Sequence, residues 1–552
     1  MANKEIDIYL SYSSLRTCLG DKTETMRAMS DNKTGLKYDS LLGMYAGKSH
    51  IETVIGYSKF ESLLIEQIAN VLSQADKSLL GEDTQLIIST TKGNIDFLAQ
   101  DSVNLAPRAF IYTAAKAVAD YFNFSCTPIV ISNACISGVS AFVVAREKIL
   151  SGESRHVIVA GADILCDFIT SGFASFKSIS TSPCRPYDIE RDGLTLGEAA
   201  GAVLLTTETD LVKDKHVRLA GGAISNDANH ISGPSRTGDG LYYAINNAMN
   251  EAGIKDRDVA FLNLHGTATR YNDEMESKAV AWAKLENKPT NSLKGYIGHT
   301  LGASGVVETI ISAEQLKQGY IYGTKGFSVS DTPYKLKLSS EIQTIEGTSC
   351  IKTSSGFGGC NAAIVLDMGK RGEVPQPLPV SSKVVAEYKL PSSELPFAQF
   401  IREEFKSFGE SNMKFYKMSD MSKALYVAVE RLLKIEGFED IAPTRRAIIL
   451  ANSSASLDAD IMHQQILNKN LPEGASPAVF VYTLANVAAG EMCIRHKIQG
   501  DNTFFIENED SGLAERYAIT LINQGRADAV ICGWCEYINE NWNINIKLIK
   551  TN

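Results

Sequence analysis

The stretch VISNACISGVSAFVVAREKIL, residues 130–150, decides the fold of this 552-residue chain. An apolar segment leads into a short turn of small residues that holds Cys135, and a pattern typical of a helix follows. A cysteine in such an elbow lies beside helix N-terminal amides, whose partial positive charge favours the thiolate and can hold an oxyanion. A cysteine before a helix is more often a packing residue, so Cys135 needs support from other segments.

Similar apolar runs alternate with amphipathic stretches on both sides of this elbow. QLIIST (85–90), TPIVIS (127–132) and HVIVAGAD (156–163) have the composition of buried strands. Helices are predicted around 107–121 and over 139–150. This alternation indicates an α/β fold in which helices cover a largely buried sheet.

The overall composition is that of an ordinary globular protein, and its length predicts more than one domain. Hydrophobic residues make up 44% of the chain, charged residues 21%, and the net charge is -10. This charge argues against a nucleic-acid partner. The first residues contain no apolar run of signal-peptide length, and no stretch approaches the ~20 apolar residues needed to span a bilayer. We expect a cytoplasmic protein with no membrane span.

The ten cysteines are spread singly along the chain, without a paired zinc-binding pattern. Cys532 and Cys535 alone have CxxC spacing, and they lie in AVICGWCEY, which is typical of an apolar strand. We therefore expect most of the cysteines to be small buried residues in a reducing compartment.

Three later segments place polar or aromatic residues in loops rich in glycine and small residues. LNLHGTATRYNDEMES delivers His265 at the end of an apolar strand. NSLKGYIGHTLGASGVVETIIS places His299 between glycines, with Lys294 five residues before it and Glu308 in the next helix. KTSSGFGGCNAAIVL places Phe357 between glycines, just before another apolar strand. Each loop alone has an ordinary structural explanation, but together they predict a catalytic site.

With SGFASFKSIS and PYDIERDGLTLGEAAG, these segments resemble the β-ketoacyl-[acyl carrier protein] synthases of the elongating Cys-His-His type. The resemblance rests on both order and spacing and covers most of residues 1–368. It implies a thiolase-like αβαβα sandwich made of two related halves. It also implies that Cys135 takes an acyl chain from a thioester, and that neutral His265 and His299 stabilise the enolate formed as a malonyl group loses CO2.

The same resemblance implies supporting roles for other residues. Lys294 and Glu308 match positions that act electrostatically, and the amides of Cys135 and Phe357 match the oxyanion hole. Phe357 also matches the gate of the acyl tunnel. The family implies no metal and no bound cofactor, since phosphopantetheine arrives on the carrier protein.

Two phenylalanines match the acyl pocket of the family. Phe173 lies in SGFASF, and Phe110 lies where the pocket ends, so its ring predicts a shortened or redirected tunnel. An ordinary core position for Phe110 explains the sequence equally well. Cys360 stands where the family usually has threonine after GFGG, which weakens the expectation of a hydroxyl contact there.

Five of the 15 prolines fall between 375 and 396, in a stretch without clear periodicity. We predict a synthase domain over 1–369, a linker over 370–396 and an appended domain over 397–552.

The appended domain repeats part of the synthase domain. APRAFIYTAAKAVA (106–119) faces SPAVFVYTLANVAA (476–489), and the similarity continues through residues 410–540. Glu509 aligns with Cys135, and both histidine loops are missing. The appended domain is therefore predicted to be a noncatalytic partial α/β repeat of the N-terminal half, similar to the partial ketosynthase relatives of polyketide and aryl-polyene pathways.

The resemblance favours a decarboxylative Claisen condensation of acyl and malonyl thioesters, with acyl carrier protein as partner, in fatty acid, polyketide or aryl-polyene-type synthesis. One alternative is a noncatalytic chain-length-factor-like partner of another ketosynthase. The other is a thiolase, which would need a second catalytic cysteine near the C-terminal glycine loop, where Cys360 is poorly placed.

Two arrangements of the appended domain remain open, and both make an oligomer, either a homodimer or a heterodimer with another ketosynthase-like subunit. The appended domain could imitate a dimer partner, or it could cover another face and leave a homodimer formed through 106–140. Retention of the strand before Glu509 favours mimicry. A local basic patch near the tunnel mouth is expected, because the overall negative charge would repel an acidic carrier protein.

Overall fold

Two sheets form the framework of the chain, which the computed structural model describes over residues 6–75, 77–212, 215–369, 380–409, 411–469 and 474–552. The strands are β1 Tyr9–Thr17, β2 Gly20–Asp21, β3 Lys37–Asp39, β4 Met44–Gly47, β5 Thr84–Ser89, β6 Ile129–Ile131, β7 His156–Asp163, β8 Leu196–Gly197, β9 Ala199–Thr206, β10 Val217–Asn226, β11 Val259–Asn263, β12 Pro289–Asn291, β13 Tyr320–Ile321, β14 Lys337–Leu338, β15 Gln343–Thr344, β16 Ser349–Gly356, β17 Cys360–Asp367, β18 Ser382–Lys389, β19 Arg446–Asn452, β20 Asn502–Ile506, β21 Ala529–Ile538 and β22 Asn541–Thr551.

Helices pack against the sheets that these strands form. The α-helices are α1 Lys22–Ser30, α2 Lys59–Gln74, α3 Phe97–Gln100, α4 Ile111–Phe122, α5 Ser137–Leu150, α6 Asp167–Ser175, α7 Asp239–Ala252, α8 Arg270–Trp282, α9 Lys294–Ile297, α10 Ser304–Gln318, α11 Phe397–Lys406, α12 Asp420–Ile435, α13 Leu457–Asn468, α14 Pro477–Phe480, α15 Val487–His496 and α16 Leu513–Asn523.

Ten strands form one continuous sheet that joins the two parts of the chain. Their order is β18, β22, β21, β19, β20, β6, β5, β7, β9 and β1. Strands β20, β19 and β21 are parallel, as are β6, β5 and β7, and the two groups meet antiparallel. A second sheet, in the order β10, β17, β16, β11, β12 and β14, continues from β1.

Helices α5 and α10 lie between the two sheets and are buried along almost their whole length. Their backbones touch at two glycines. A Cβ on Gly138 would lie 2.7 Å from Val306 N, and one on Gly305 would lie 2.3 Å from Val139 N. Helices α2 and α4 cover the outer face of the first sheet, and α7 and α8 cover that of the second. The predicted thiolase-like αβαβα sandwich is confirmed.

The predicted synthase domain is called the synthase part below, and the C-terminal segment that follows the predicted linker is called the appended part. The two parts pair through β20 and β6. Phe505 lies opposite Ile131, and Ile506 lies opposite Val130. The Asn133 side chain extends this pairing, because its Oδ1 accepts from Phe504 N at 2.8 Å and its Nδ2 donates to Asn502 O at 2.9 Å. The edge at which a second subunit was expected is thus occupied by the same chain, so a dimer formed through β6 is not what the structure shows.

The predicted linker over 370–396 is wrong in its second half. Residues 382–389 form β18, which pairs antiparallel with β22 near the end of the chain. The Trp542 side chain also donates a hydrogen bond to Pro391 O at 3.0 Å. The appended part therefore begins at Ser382 rather than at 397, while residues 370–379 lie outside the described residues.

The appended part has the same strand order as the start of the synthase part. Strands β20, β19, β21 and β22 correspond in sequence order and pairing to β6, β5, β7 and β9. The segment that aligns with 106–119 forms two helices, because α14 and a 3₁₀ turn end at Thr483 and α15 begins at Val487. The descent of the two parts from one repeat stays a prediction.

No single helix among the residues listed above is long and apolar enough to cross a membrane. The two helical segments Pro477–Thr483 and Val487–His496 together have the length and apolar composition of a membrane span, but they meet at an angle of 99°. Both belong to the core between the two parts of the chain.

Deleting residues 375–552 should make the remaining protein associate or aggregate, because β6 and the apolar surface beside it would become exposed. Light scattering on the purified protein would measure this against the full chain. A truncated protein that stays soluble and keeps the oligomeric state of the full chain would contradict the covering role of the appended part.

Candidate active site

Cys135 lies in a strained elbow between β6 and α5. The residue before it, Ala134, has a φ of +46°, in the left-handed region that a side chain disfavours. Ser137 stabilises the turn, since its Oγ accepts from Asn133 N at 2.8 Å and donates to Ala134 O at 2.6 Å. The predicted strand–turn–helix arrangement is confirmed, and the Cys135 side chain is buried at its tip.

The structure brings the two predicted histidines to this cysteine. The sulfur of Cys135 and one ring nitrogen from each of His265 and His299 all lie within 4.8 Å of one another. The two imidazole rings are 5.0 Å apart between centroids and perpendicular. His299 Nδ1 accepts from Leu301 N at 2.9 Å, so the neutral ring carries its proton on Nε2. His299 is therefore a hydrogen-bond donor at its free nitrogen.

Burial and nearby cations keep both imidazoles neutral. Burial and Lys294 lower the pKa of His299 to about 3, against an opposing effect of Glu308. Burial, Lys294 and His299 lower the pKa of His265 well below its usual value. At neutral pH the two rings can donate hydrogen bonds without carrying charge.

A buried Lys–Glu–Lys cluster supplies these cations. Lys294 Nζ lies 2.8 Å from Glu308 Oε1, and Lys352 Nζ lies 2.5 Å from Glu308 Oε2. Burial opposes ionisation of Glu308, but the two lysines hold its pKa below the usual value. Lys294 and Glu308, both singled out in the sequence, lie in this cluster, whereas Lys352 was not predicted. The available signal was a lysine within an otherwise uncharged strand, SCIKTSSG.

Acidic residues that follow His265 in the sequence stabilise the loop that carries it, and we assign them no role in the reaction at the Cys135 sulfur. Glu276 accepts from the backbone N–H of His265 at 2.8 Å and of Gly266 at 2.7 Å. Tyr187, from the PYDIERDG segment, donates its hydroxyl to the same carboxylate at 2.7 Å. Burial and Glu276 raise the pKa of neighbouring Asp273 to about 7. These groups position the backbone that carries His265.

The cysteine thiol is protonated in this closed site. Burial raises the pKa of Cys135 to about 12, with Lys294 acting in the opposite direction. This desolvation opposes the stabilisation of the thiolate that the helix N-terminal amides were expected to give.

The glycine loop of Phe357 passes directly beside Cys135. A Cβ on Gly356 would lie 3.1 Å from Cys135 N and 3.3 Å from Cys360 Sγ. Gly358 and Gly359 have φ angles of +90° and +70°, which glycine adopts without strain. Cys360 Sγ lies 3.2 Å from Phe357 O, so it contacts the loop and not solvent.

Aromatic rings from both parts of the chain meet behind this loop. Phe357 stacks on Phe173 at 6.1 Å and tilts against Phe176 at 5.3 Å. Phe110 packs in the same apolar cluster. Phe480, from the appended part, lies 5.5 Å from Phe173. Its alignment with Phe110 in the predicted repeat was the only sequence signal for Phe480.

Comparison with known proteins identifies the class of protein that this site defines. Residues 52–210 match the family model for the β-ketoacyl synthase N-terminal domain, and residues 216–328 match that for the β-ketoacyl synthase C-terminal domain. The chain belongs to the β-ketoacyl synthase family.

Among curated proteins, the chain is similar to 3-oxoacyl-[acyl-carrier-protein] synthase 2 of Staphylococcus aureus, with 31% identity over 42% of this chain and 61% of that protein. It is 27% identical to a putative mitochondrial 3-oxoacyl-[acyl-carrier-protein] synthase of Schizosaccharomyces pombe, over 48% of this chain and 66% of that protein. The matches thus span less than two thirds of these relatives.

Two solved structures are also similar. A ketosynthase of Xenorhabdus doucetiae, solved in complex with its chain length factor, is 26% identical, with a TM-score of 0.59 over 66% of this chain and 98% of that one. The PfaC keto synthase–chain length factor has a TM-score of 0.80 over 99% of this chain and 78% of that one. At 14% identity, the second likeness is one of fold alone.

Malonyl decarboxylation is the reaction that the family resemblance implies, and replacing either histidine by alanine should lower it by on the order of 10²-fold, the scale for losing one oxyanion donor. Release of CO2 from malonyl-carrier protein by His265→Ala and His299→Ala measures this. His216→Ala, at an exposed position, is the matched control. A variant of either site histidine that keeps wild-type decarboxylation would remove that residue from the site.

Replacing Lys352 by methionine should move the acidic limb of the decarboxylation pH profile to higher pH. Lys352 lowers the pKa of both histidines, so its removal raises them, and the neutral donor form is then lost at a higher pH. The rate is measured over about pH 3–7, because the wild-type pKa of His299 lies at about 3. Lys352→Arg keeps the charge and should keep the profile, and identical profiles for the methionine variant and the wild type would contradict the electrostatic role.

Proposed function

We propose that the chain catalyses a decarboxylative Claisen condensation between an acyl group held on Cys135 and malonyl-acyl carrier protein, giving β-ketoacyl-acyl carrier protein. The convergence of the Cys135 sulfur with one ring nitrogen from each of two neutral imidazoles, His265 and His299, carries this proposal. A nucleophile and two uncharged donors in a buried site suit a reaction that forms an enolate.

The first step is acyl transfer to the cysteine. Cys135 gives up its thiol proton, and its sulfur attacks the acyl thioester carbonyl. The carrier's phosphopantetheine thiol leaves and receives a proton, so the step is neutral overall. We assign the developing oxyanion to the backbone amides of Cys135 and Phe357, whose segments are in contact at Gly356.

The second step forms the new carbon–carbon bond. The malonyl thioester loses CO2, and His265 and His299 donate hydrogen bonds to the enolate oxygen that forms. The enolate carbon attacks the acyl carbonyl on Cys135, and the cysteine sulfur leaves and regains a proton. The positive charge of the Lys294 and Lys352 ammonium groups around Glu308 favours both the neutral imidazoles and the negative enolate.

We propose that the aromatic cluster binds the acyl chain. Phe173 and Phe357 form one wall, Phe110 lies in the same cluster, and Phe480 of the appended part closes it. The apolar lining suits a hydrocarbon or polyketide chain held next to the cysteine. The pathway we favour is a specialised fatty acid, polyketide or aryl-polyene-type synthesis.

Three exposed basic residues are our candidates for docking the acyl carrier protein. Lys177 follows Phe176, which packs on Phe357. Arg270 begins α8 directly after the His265 loop. Arg236 is exposed and lies five residues after Ile231, whose carbonyl accepts from Gly358 N. We propose that they attract the acidic carrier despite the net charge of -10. The ten unpaired cysteines support a reducing compartment, and we place the reaction in the cytoplasm.

The retained triad weighs against a noncatalytic, chain-length-factor-like role for the whole chain. A thiolase role is opposed by the position of Cys360, because its sulfur is buried and lies 3.2 Å from the carbonyl oxygen of Phe357. The appended part is instead proposed to take the place of the second subunit for its own synthase part, consistent with its pairing on β6.

Incubation of the purified chain with octanoyl-carrier protein and malonyl-carrier protein should release CO2 and yield a β-ketoacyl product. Cys135→Ala should abolish the acyl-enzyme adduct seen by intact mass spectrometry, whereas Cys126→Ala, a partly exposed cysteine on the surface, should keep it. An adduct retained in Cys135→Ala would place the nucleophile elsewhere. Product formed only after a second ketosynthase is added would favour the chain-length-factor alternative.

A further inference from the structure

The loop that carries Phe357 is held from the appended part of the chain. Asn486 Nδ2 donates a hydrogen bond to Phe357 O at 2.8 Å and lies 3.5 Å from Cys360 Sγ. Asn486 is 2% exposed and lies at the N-terminus of α15, where the broken helix turns. The contact joins residues 129 positions apart in the chain.

The backbones around this hydrogen bond are in direct contact. A Cβ on Gly490, one turn along α15, would lie 2.7 Å from Gly358 O. A Cβ on Gly358 would lie 2.5 Å from Asn486 Nδ2. Since no side chain fits between them, the first turn of α15 fixes the position of the glycine loop by direct packing.

Fixing the Phe357 carbonyl also restricts the amide of the same residue. The carbonyl belongs to the planar peptide group after the Phe357 Cα and the amide to the group before it, so the hydrogen bond fixes the first group while the packing of Gly356 against Cys135 N confines the second. On the other side, Gly358 N donates to Ile231 O at 2.6 Å. The loop is thereby held from both parts of the chain while its Gly356 end touches Cys135 N.

The side chain of Asn486 is poorly explained as a packing residue. Its Oδ1 is buried and has no hydrogen-bond partner among the described residues. Burying an unpaired amide oxygen costs free energy that a leucine of similar size would avoid. What the asparagine provides is its N–H donor, and that donor is directed at the loop of Phe357.

We propose that Asn486 is a positioning residue, through which the appended part holds the Phe357 amide in place for the oxyanion of acyl transfer. The site of the synthase part is incomplete without this contact, and the appended part therefore contributes to chemistry that it cannot perform itself. This inference rests on the proposed function, because it assigns a use to the Phe357 amide in acylation of Cys135.

The test compares two reactions of Cys135 that differ in their need for an oxyanion hole. Acylation by octanoyl-carrier protein develops an oxyanion, whereas alkylation by iodoacetamide at its methylene carbon does not. We expect Asn486→Leu to slow acylation by roughly 10- to 100-fold, the scale of a small misplacement of a catalytic group. Its alkylation should stay within about twofold of the wild type, and its melting temperature should not fall.

Tyr482→Phe is the matched control from the same segment. Its hydroxyl donates to Glu491 Oε1 at 2.8 Å and not to the glycine loop, so the control should acylate like the wild type. Asn486→Ala removes the same donor without risk of overpacking and covers the case in which the leucine variant does not fold. It should show the same split between acylation and alkylation.

Wild-type acylation by the Asn486 variants would overturn the inference. An equal fall in acylation and alkylation would also overturn it, because it would indicate a general loosening of the site. A wild-type chain that is acylated but forms no β-ketoacyl product would contradict the proposed function and leave the comparison of acylation rates intact. A wild-type chain that is never acylated would overturn both.

Discussion

The antiparallel pairing of β20 with β6 is the constraint on which the rest of the structure depends. It converts the edge of the synthase sheet into the middle of a ten-stranded sheet, directly before the elbow of Cys135. Once β20 is fixed there, α15 must lie over the glycine loop and Phe480 must lie in the aromatic cluster. A segment without catalytic residues thus becomes part of the wall and support of the site.

The electrostatics of the site follow from burial rather than from surface charge. The Lys–Glu–Lys cluster places two ammonium groups around one carboxylate beneath the histidines, where water cannot screen them. The same burial raises the pKa of Cys135 and lowers those of His265 and His299, which favours the uncharged form of all three side chains. A neutral resting site is suited to stabilising a negative charge that appears only during the reaction.

The sequence was sufficient to predict the sandwich and the residues whose loops have a distinctive local pattern, such as His265 and Phe357. It was not sufficient for Lys352 and Asn486, whose importance depends on partners distant in sequence, Glu308 and the glycine loop. The prediction of a linker over 370–396 was wrong in its second half for the same reason. Strand β18 is stabilised by β22 at the far end of the chain, and its prolines on either side masked it. The local hydrophobic pattern of a sequence does not show which distant strand a segment pairs with.

In the proposed function, one chain forms a complete condensing site, with its own appended part in place of a partner. Condensing activity per chain across a dilution series, recorded together with the mass of the species present, tests this. Activity per chain should stay constant, including at dilutions where only single chains remain. Activity that disappears as a larger assembly dissociates into single chains would contradict it.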